Sequence, residues 1–381
     1  MTLAPSTRCP LAHVAEIEAC PRAELEPLCT WLKSHSLPSA PTKFPRGCAF
    51  SDGRLDLCKQ SLGADNLRTL LDAADGNPWL RAILLGTNGL GDAGARALAA
   101  WVERRRAPQL DTLYLGCNRI GVDGLNALAD AVESTPSIRA LWLKRNPLSA
   151  TATPRLRRLL ESSQLRVLDL TNTELGAEAC AQLFDALAKS DVEHLTLGAQ
   201  GLGVEAGQAL GACLARDPSL RSLSLAVNAL GNAGVQALAH GLARNTRLER
   251  LNLSSNGFDE AGLQALLEAI AMHPRLQELE LGAAPSTQAL GAAPNRLTRG
   301  AHSLARFVAE RRGLRALGLA GTELGSRGAK PIVEALEQRN EPLRELWLGT
   351  RIARSFRRRA NARLVPLPPP PHLAAIRSIY R

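Results

Sequence analysis

The sequence predicts an α/β horseshoe solenoid: about ten strand–turn–helix units, stacked so that a concave parallel β-sheet lines the inside and α-helices the convex outside. Three observations carry this. First, one short pattern recurs. Leu110, Leu113, Leu115, Asn118 and Ile120 are spaced L-x-x-L-x-L-x-x-N-x-L, and Ile138, Leu141, Leu143, Asn146 and Leu148 repeat that spacing about 28 residues later. Second, each copy leads into a stretch with helical periodicity, such as Leu263, Leu266, Leu267 and Ile270. Third, hydrophobic residues make up 45% of the chain but aromatics only 3%, so Leu and Ala must fill the small repeating layers.

Residues 1–46 precede the repeats. LAHVAEIEAC and RAELEPLCTWLKS have helical spacing around Pro21, and SLPSAPTKFP reads as a linker. The expected role is to cap the first layer, which otherwise leaves apolar surface and unpaired strand groups in water. Residues 47–352 form the repeat domain. Copies begin at Leu55, Leu80, Leu110, Ile138, Leu165, Val192, Leu220, Leu248, Leu276 and Leu314, with a truncated one at Leu343. Residues 353–381 form a basic, proline-rich tail.

Each position of the pattern has a physical job. Strand side chains alternate, so the two leucines of L-x-L point inward. The asparagine sits where the chain leaves the strand, and its amide can bond the main chain of its own turn and of a neighbouring unit. This predicts a structural ladder of Asn88, Asn118, Asn146, Asn228, Asn256 and Asn295, interrupted by Thr173, Gln200 and Thr322. Asp-Ala-Gly or Asp-Glu-Ala-Gly then opens a helix, with the aspartate able to cap it or to favour its N-terminus. Strands stack ~4.8 Å apart while helices need ~8–10 Å, and that mismatch forces the curvature.

The period of 27–30 residues, the L-x-x-L-x-L-x-x-N-x-L spacing and the helical stretch GDAGARALA at 91–99 resemble the ribonuclease-inhibitor class of leucine-rich-repeat proteins. The resemblance implies a non-catalytic scaffold that binds a protein partner on its concave face. A second reading is a GTPase activator similar to the Ran-directed leucine-rich-repeat family; that family typically carries an acidic C-terminal stretch, whereas this tail is basic. Arginine far outnumbers lysine and alanine is abundant, which points to a GC-rich bacterial source.

Net charge is +10, yet eight arginines and no acid lie between 351 and 381, so the rest of the chain is near +2. Such a body argues against a nucleic-acid-binding domain and against inhibition of strongly basic ribonucleases. The eight cysteines form no C-x-x-C pair, and Cys9, Cys20 and Cys29 with His13 and His35 have irregular spacing, so no metal is expected. No phosphate loop, G-x-S-x-G or spaced nucleophile is present, so neither catalytic residues nor a cofactor are expected. With no apolar leader and no long apolar run, the expectation is a cytoplasmic monomer without membrane contact.

Binding is therefore sought among side chains that the repeat does not require. The residue between the inward leucines is expected to face solvent. Tyr114, Trp142, Asp169 and Trp347 hold that position, and Lys144, Arg145, Asn172 and His194 lie beside it. Tyr114, Trp142, Lys144, Arg145, Asp169 and His194 are expected to form one patch, since aromatics and arginine dominate interface energetics; Tyr114 and Trp142 packing only on each other is the simpler alternative. A second candidate is the insertion after Leu281, where Asn295 arrives eleven residues late. Its residues Pro285, Ser286, Thr287, Gln288 and Pro294 either project as a binding loop or are a tolerated surface insertion. In the tail, the arginines around Arg358 read as a solvated face or as contacts to the last helix or strand, with a nucleic-acid site as the alternative. Pro368–Pro371 favours polyproline II geometry, and Leu373, Ile376, Ile379 and Tyr380 have the spacing of a helix that could pack back.

Overall fold

The computed structural model describes residues 18–104, 106–366, 368 and 370–380. The chain divides into two compact units. The N-terminal unit takes the described residues up to 175, residues 190–192 and the C-terminal segment from 370; the second takes residues 176–189 and 193–368. The first expected helix, 11–20, lies mostly outside the described residues, and Glu18–Cys20 are not helical.

In the N-terminal unit, α1 (Glu26–Lys33) precedes an antiparallel pair, β1 (Thr42–Lys43) and β2 (Cys48–Ala49), and β2 runs antiparallel to β3 (Arg54–Asp56). The stretch expected to be a linker thus supplies the edge strand β1, which pairs with β2, and β2 in turn covers the unpaired side of β3. From β3 onward the strands are parallel and adjacent in chain order: β4 (Ala82–Leu84), β5 (Thr112–Tyr114), β6 (Ala140–Trp142) and β7 (Val167–Asp169). Helices α2 (Gly63–Ala73), α3 (Gly91–Glu103), α4 (Val122–Ser134) and α5 (Thr153–Ser162) alternate with them, and the template leucines between the two layers are almost wholly buried.

The asparagines tie unit to unit. Asn146 Nδ2 donates to the carbonyls of Leu143, 2.9 Å, and of Leu115 in the preceding repeat, 3.0 Å. Its Oδ1 accepts from the Asn118 and Ile120 amides, both at 3.0 Å. Asn88 and Asn118 repeat the arrangement. Each side chain so satisfies backbone groups of two turns that burial would otherwise leave unpaired.

Helix capping also crosses between repeats. Asp92 lies in the first turn of α3, where its charge favours the N-terminus, but it does not cap that helix. Instead its Oδ1 accepts from Gly121 N, 2.7 Å, and Gly124 N, 3.0 Å, at the start of α4. The reason is geometric: α3 bends in through Leu90 with helical backbone angles, whereas α4 begins at an extended Gly121 whose free amides face the neighbouring repeat.

The second unit continues the alternation: α6 (Gly176–Leu187), β8 (His194–Thr196), α7 (Val204–Leu214), β9 (Ser222–Ser224), α8 (Gly231–Leu242), β10 (Arg250–Asn252), α9 (Glu260–Ile270), β11 (Glu278–Glu280), α10 (Ala301–Glu310), β12 (Ala316–Gly318), α11 (Gly325–Gln338) and β13 (Glu345–Trp347). Its strands β8 to β13 are parallel, each beside the next. Asn232, aligned with Asp92, accepts from Asp259 N and Gly262 N and caps α9 of the next repeat. Asp259, by contrast, does cap its own helix through Ala261 N. Asn228, Asn256 and Asn295 bond as ladder members, and Asn295 reaches its place despite its late arrival, because the insertion loops out. At Thr322 the shorter side chain reaches only its own turn, at Leu319 O, 2.8 Å. Helices α7 and α8 touch backbone to backbone; a Cβ on Gly241 would sit 2.1 Å from Gly211 O. Beyond β13, α12 (Arg354–Asn361) closes the unit: Arg359 holds Glu337 through Nε, 2.8 Å, and Nη2, 2.6 Å, and Arg363 Nη2 donates to Glu337 O and Arg339 O.

Candidate functional site

The two faces of each sheet are unequal. In β8–β11 the central leucine is buried toward the helices, while its neighbours on the open face keep partial exposure. In β4–β7 all three residues of every strand are buried. Something covers the open face there, and it is the C-terminal segment. Ile376, with no exposed surface, packs among Ala82, Leu84, Tyr114, Ala140, Trp142 and Val167, with Leu373 and Cys58 at the margin.

The expectation that Tyr114, Trp142 and Asp169 face solvent is therefore corrected: they are 5%, 4% and 3% exposed. Leu373 and Ile376, some 230–260 positions later in the chain, return to cover Tyr114 and Trp142, and no local pattern in β5 or β6 announces that. The parallel register sets Tyr114 beside Trp142 and Trp142 beside Asp169. The Tyr114 and Trp142 rings lie 6.2 Å apart and tilted by 43°, a favourable aromatic geometry. Lys144 Nζ stands 5.6 Å from the centre of the Tyr114 ring. Glycine makes room for that ring, because a Cβ on Gly86 would lie 2.6 Å from Tyr114 Cε1. The Trp142 indole N–H is buried without an acceptor among the described residues.

Polar contacts fix one end of the segment. Arg377 pairs with Asp52 at 3.0 Å. Arg54, 2% exposed, donates to both Asp52 oxygens at 2.9 Å and to Ser378 Oγ at 3.0 Å, with its guanidinium 4.2 Å from the centre of the Phe50 ring. At the other side of the face, Asp169 accepts from Thr171 N, 2.8 Å, and Thr171 Oγ1, 2.6 Å. Burial pushes its carboxyl above the usual range, opposed by the Thr171 bonds and by Lys144 and Arg145. Burial likewise raises the Cys58 thiol, so it serves as an apolar contact and not as a thiolate.

Of the remaining candidates, Lys144 and Arg145 are partly exposed at the margin of this face. Asn172 is buried with positive φ, and neither amide atom has a partner among the described residues. His194 and Trp347 belong to the second unit, half-buried on β8 and 59% exposed on β13. There the insertion folds into a turn in which Thr287 is buried and bonded to Ser255 and Ala284 O, while Pro285 and Gln288 are exposed. Thr287, Gln288 and Pro294 line a groove of about 880 Å³ against the loops after β12 and β13, with Trp347 at its mouth. Sequence reasoning missed Asp52, Arg54, Ala82, Ala140 and Val167. One signal was available: Leu84, Tyr114 and Trp142 are apolar or aromatic where the later repeats carry Thr196, Ser224, Asn252 and Glu280.

Among the described residues no group of three or more His, Cys, Asp or Glu is placed to hold a metal, and no helix is long and apolar enough to cross a membrane.

Residues 76–99, 109–129, 216–239 and 244–267 match the family model described as a leucine-rich repeat. The chain carries leucine-rich repeats. The Tonsoku-like protein of Mus musculus is 32% identical over 181 residues, which are 44% of this chain and 13% of that protein. The ribonuclease inhibitor of Sus scrofa is 29% identical over 168 residues, 42% of this chain and 36% of that one. Among solved structures, an internalin of Listeria monocytogenes has 16% identity and a TM-score of 0.44, covering 92% of this chain and 98% of its own. This chain thus matches about an eighth of the mouse relative's length and about a third of the pig relative's. Both curated relatives are mammalian and lend no support to a bacterial source.

Proposed function

We propose that this leucine-rich-repeat protein is a non-catalytic interaction module of the ribonuclease-inhibitor type, which binds a protein partner on the open face of β4–β7 and its Lys144–Arg145 margin. The observation that carries the reading is that this face already holds a peptide: Leu373 and Ile376 lie against Tyr114, Trp142 and their neighbours, and Arg377 pairs with Asp52. A surface that buries an isoleucine completely and meets the following arginine with a carboxylate has the apolar centre and polar rim of a protein interface. The name of the pig relative, an inhibitor of an enzyme, is in keeping with recognition of another protein. The reading includes a monomer acting in the reducing cytoplasm; no disulfide joins any of the seven described cysteines, in keeping with that compartment.

The test is affinity capture with the full chain as bait, read by quantitative mass spectrometry, beside Lys144→Glu/Arg145→Glu. These side chains are partly exposed, so their reversal leaves the fold intact. The expected result is a discrete set of proteins retained by the natural chain and lost by the double variant. An unchanged set would place recognition elsewhere, with the insertion groove and Trp347 next in line.

A further inference from the structure

We propose that the open face of β4–β7 is a groove for a short peptide of defined pattern, and that the chain's own C-terminal segment occupies it as an internal ligand that a partner must displace. The inference rests on the reading of this face as a protein-binding surface and names the partner's chemistry. The pattern is two apolar side chains three residues apart in a helical turn, followed directly by a basic residue.

The docked segment supplies the pattern. Pro370 is in extended geometry, Pro371–Ala374 form one helical turn, and the Ile376 amide donates to Leu373 O at 3.2 Å in the turn that follows, so Leu373 and Ile376 meet the same cluster. Ile376 enters the cluster fully and Leu373 partly. Ala374 and Ala375, the residues between them, are small and bring no bulk of their own. Arg377, next in the chain, reaches Asp52, and Ser378 reaches Arg54. Asp52 precedes β3, and Arg54 is its first residue, in register with Ala82 at a strand position that the leucine spacing leaves free, so the leucine-rich architecture does not require their contacts. The groove follows the same rule: Leu84, Tyr114 and Trp142 stand at positions where the second unit tolerates Thr, Ser and Asn.

Two features mark the docking as replaceable. The Arg377–Asp52 pair is about half exposed on both sides, which leaves it open to competition by salt and by another cation. The Trp142 indole N–H lies within the covered face without an acceptor among the described residues, so a partner's carbonyl or carboxylate placed there would add a hydrogen bond. An internal ligand also raises specificity, since only a sequence that competes with the tethered copy gains entry.

The experiment uses the full chain and a fluorescein-labelled synthetic peptide of residues 370–381. In Ile376→Asp the charged side chain cannot stay in the apolar cluster and the segment is released. Fluorescence anisotropy should show the labelled peptide binding this variant at least tenfold more tightly than the natural chain. Adding Trp142→Ala to the released variant should abolish binding. A peptide carrying Asp in place of Ile376 should not bind, and one carrying Glu in place of Arg377 should bind more weakly. Circular dichroism confirms that each variant is folded. Equal binding to the natural and released chains, or no binding to a folded released chain, overturns the proposal; equal binding of the Arg377→Glu peptide overturns its basic position. Because no cellular partner enters this titration, its failure leaves the capture result of the preceding subsection standing, and the reverse also holds.

Discussion

Ile376→Ala isolates what holds the C-terminal segment. The side chain has no exposed surface and packs on the apolar face of the N-terminal unit. Truncation removes three methylene-sized groups from that cluster, at ~0.8 kcal/mol each, for a loss of about 2.4 kcal/mol. At ~1.4 kcal/mol per decade the detached population rises about fiftyfold. The neighbouring ion pair contributes much less: Arg377 and Asp52 are each about half exposed, and such pairs are worth ~0–1 kcal/mol, at most about fivefold. Limited trypsin digestion reads the difference, because cleavage after Arg377 follows the detached population when re-docking is fast. The intact-mass signal for loss of residues 378–381 should appear about fifty times faster in Ile376→Ala and at most about five times faster in Asp52→Asn. If Asp52→Asn matched or exceeded Ile376→Ala, the apolar cluster would not be the anchor, and the argument from buried area would fail.

Three further outcomes test the architecture. Asn146→Ala strands two carbonyls and two amides inside the N-terminal unit and should lower the unfolding free energy in urea by about 3 kcal/mol or more, whereas Thr322→Ala, which loses the bond to Leu319 O, should cost ~1 kcal/mol; equal costs would remove the ladder from the account. Gly241→Ala forces α7 and α8 apart at the Gly211 carbonyl and should destabilise by ~1–3 kcal/mol, read as a lower urea midpoint. His273 accepts from Leu276 N through Nδ1, and burial, aided by Arg311, lowers its pKa to about 4 against an ordinary value near 6.5. The folded protein then binds fewer protons than the unfolded chain below pH 6.5. The stability from a neutral His273 is complete above that pH and is lost as pH falls toward 4, by ~3 kcal/mol in all. Asn245 does the equivalent job in the preceding repeat without a titratable group, so His273→Asn should flatten urea midpoints across pH 4–6.5; an unchanged slope would assign the dependence to other groups.

Spacing in the sequence already contained the fold class, the strand positions and the asparagines that bond across repeats, because a strand–turn–helix unit of fixed length leaves its inward residues no other place to go. The same locality explains what it missed. Asp92 reads as the start of its own helix, yet it bonds the amides opening the next one, since the nearest free N–H groups belong to the neighbouring layer. Ser36–Pro45 reads as a linker, yet its Thr42–Lys43 form an antiparallel pair with β2, the strand that lies along the open edge of β3. Tyr114 and Trp142 could be singled out as residues that the repeat does not need, because a side chain on the open face is free to vary. Whether they meet water or another part of the chain depends on a contact between residues more than 230 positions apart, and pairings over such distances follow from tertiary packing, not from periodicity. Sequence alone thus determined the scaffold and the letters that stand out from it. Only the tertiary structure decided that those letters form a groove, that Asp52 and Arg54 complete it, and that Ile376 fills it.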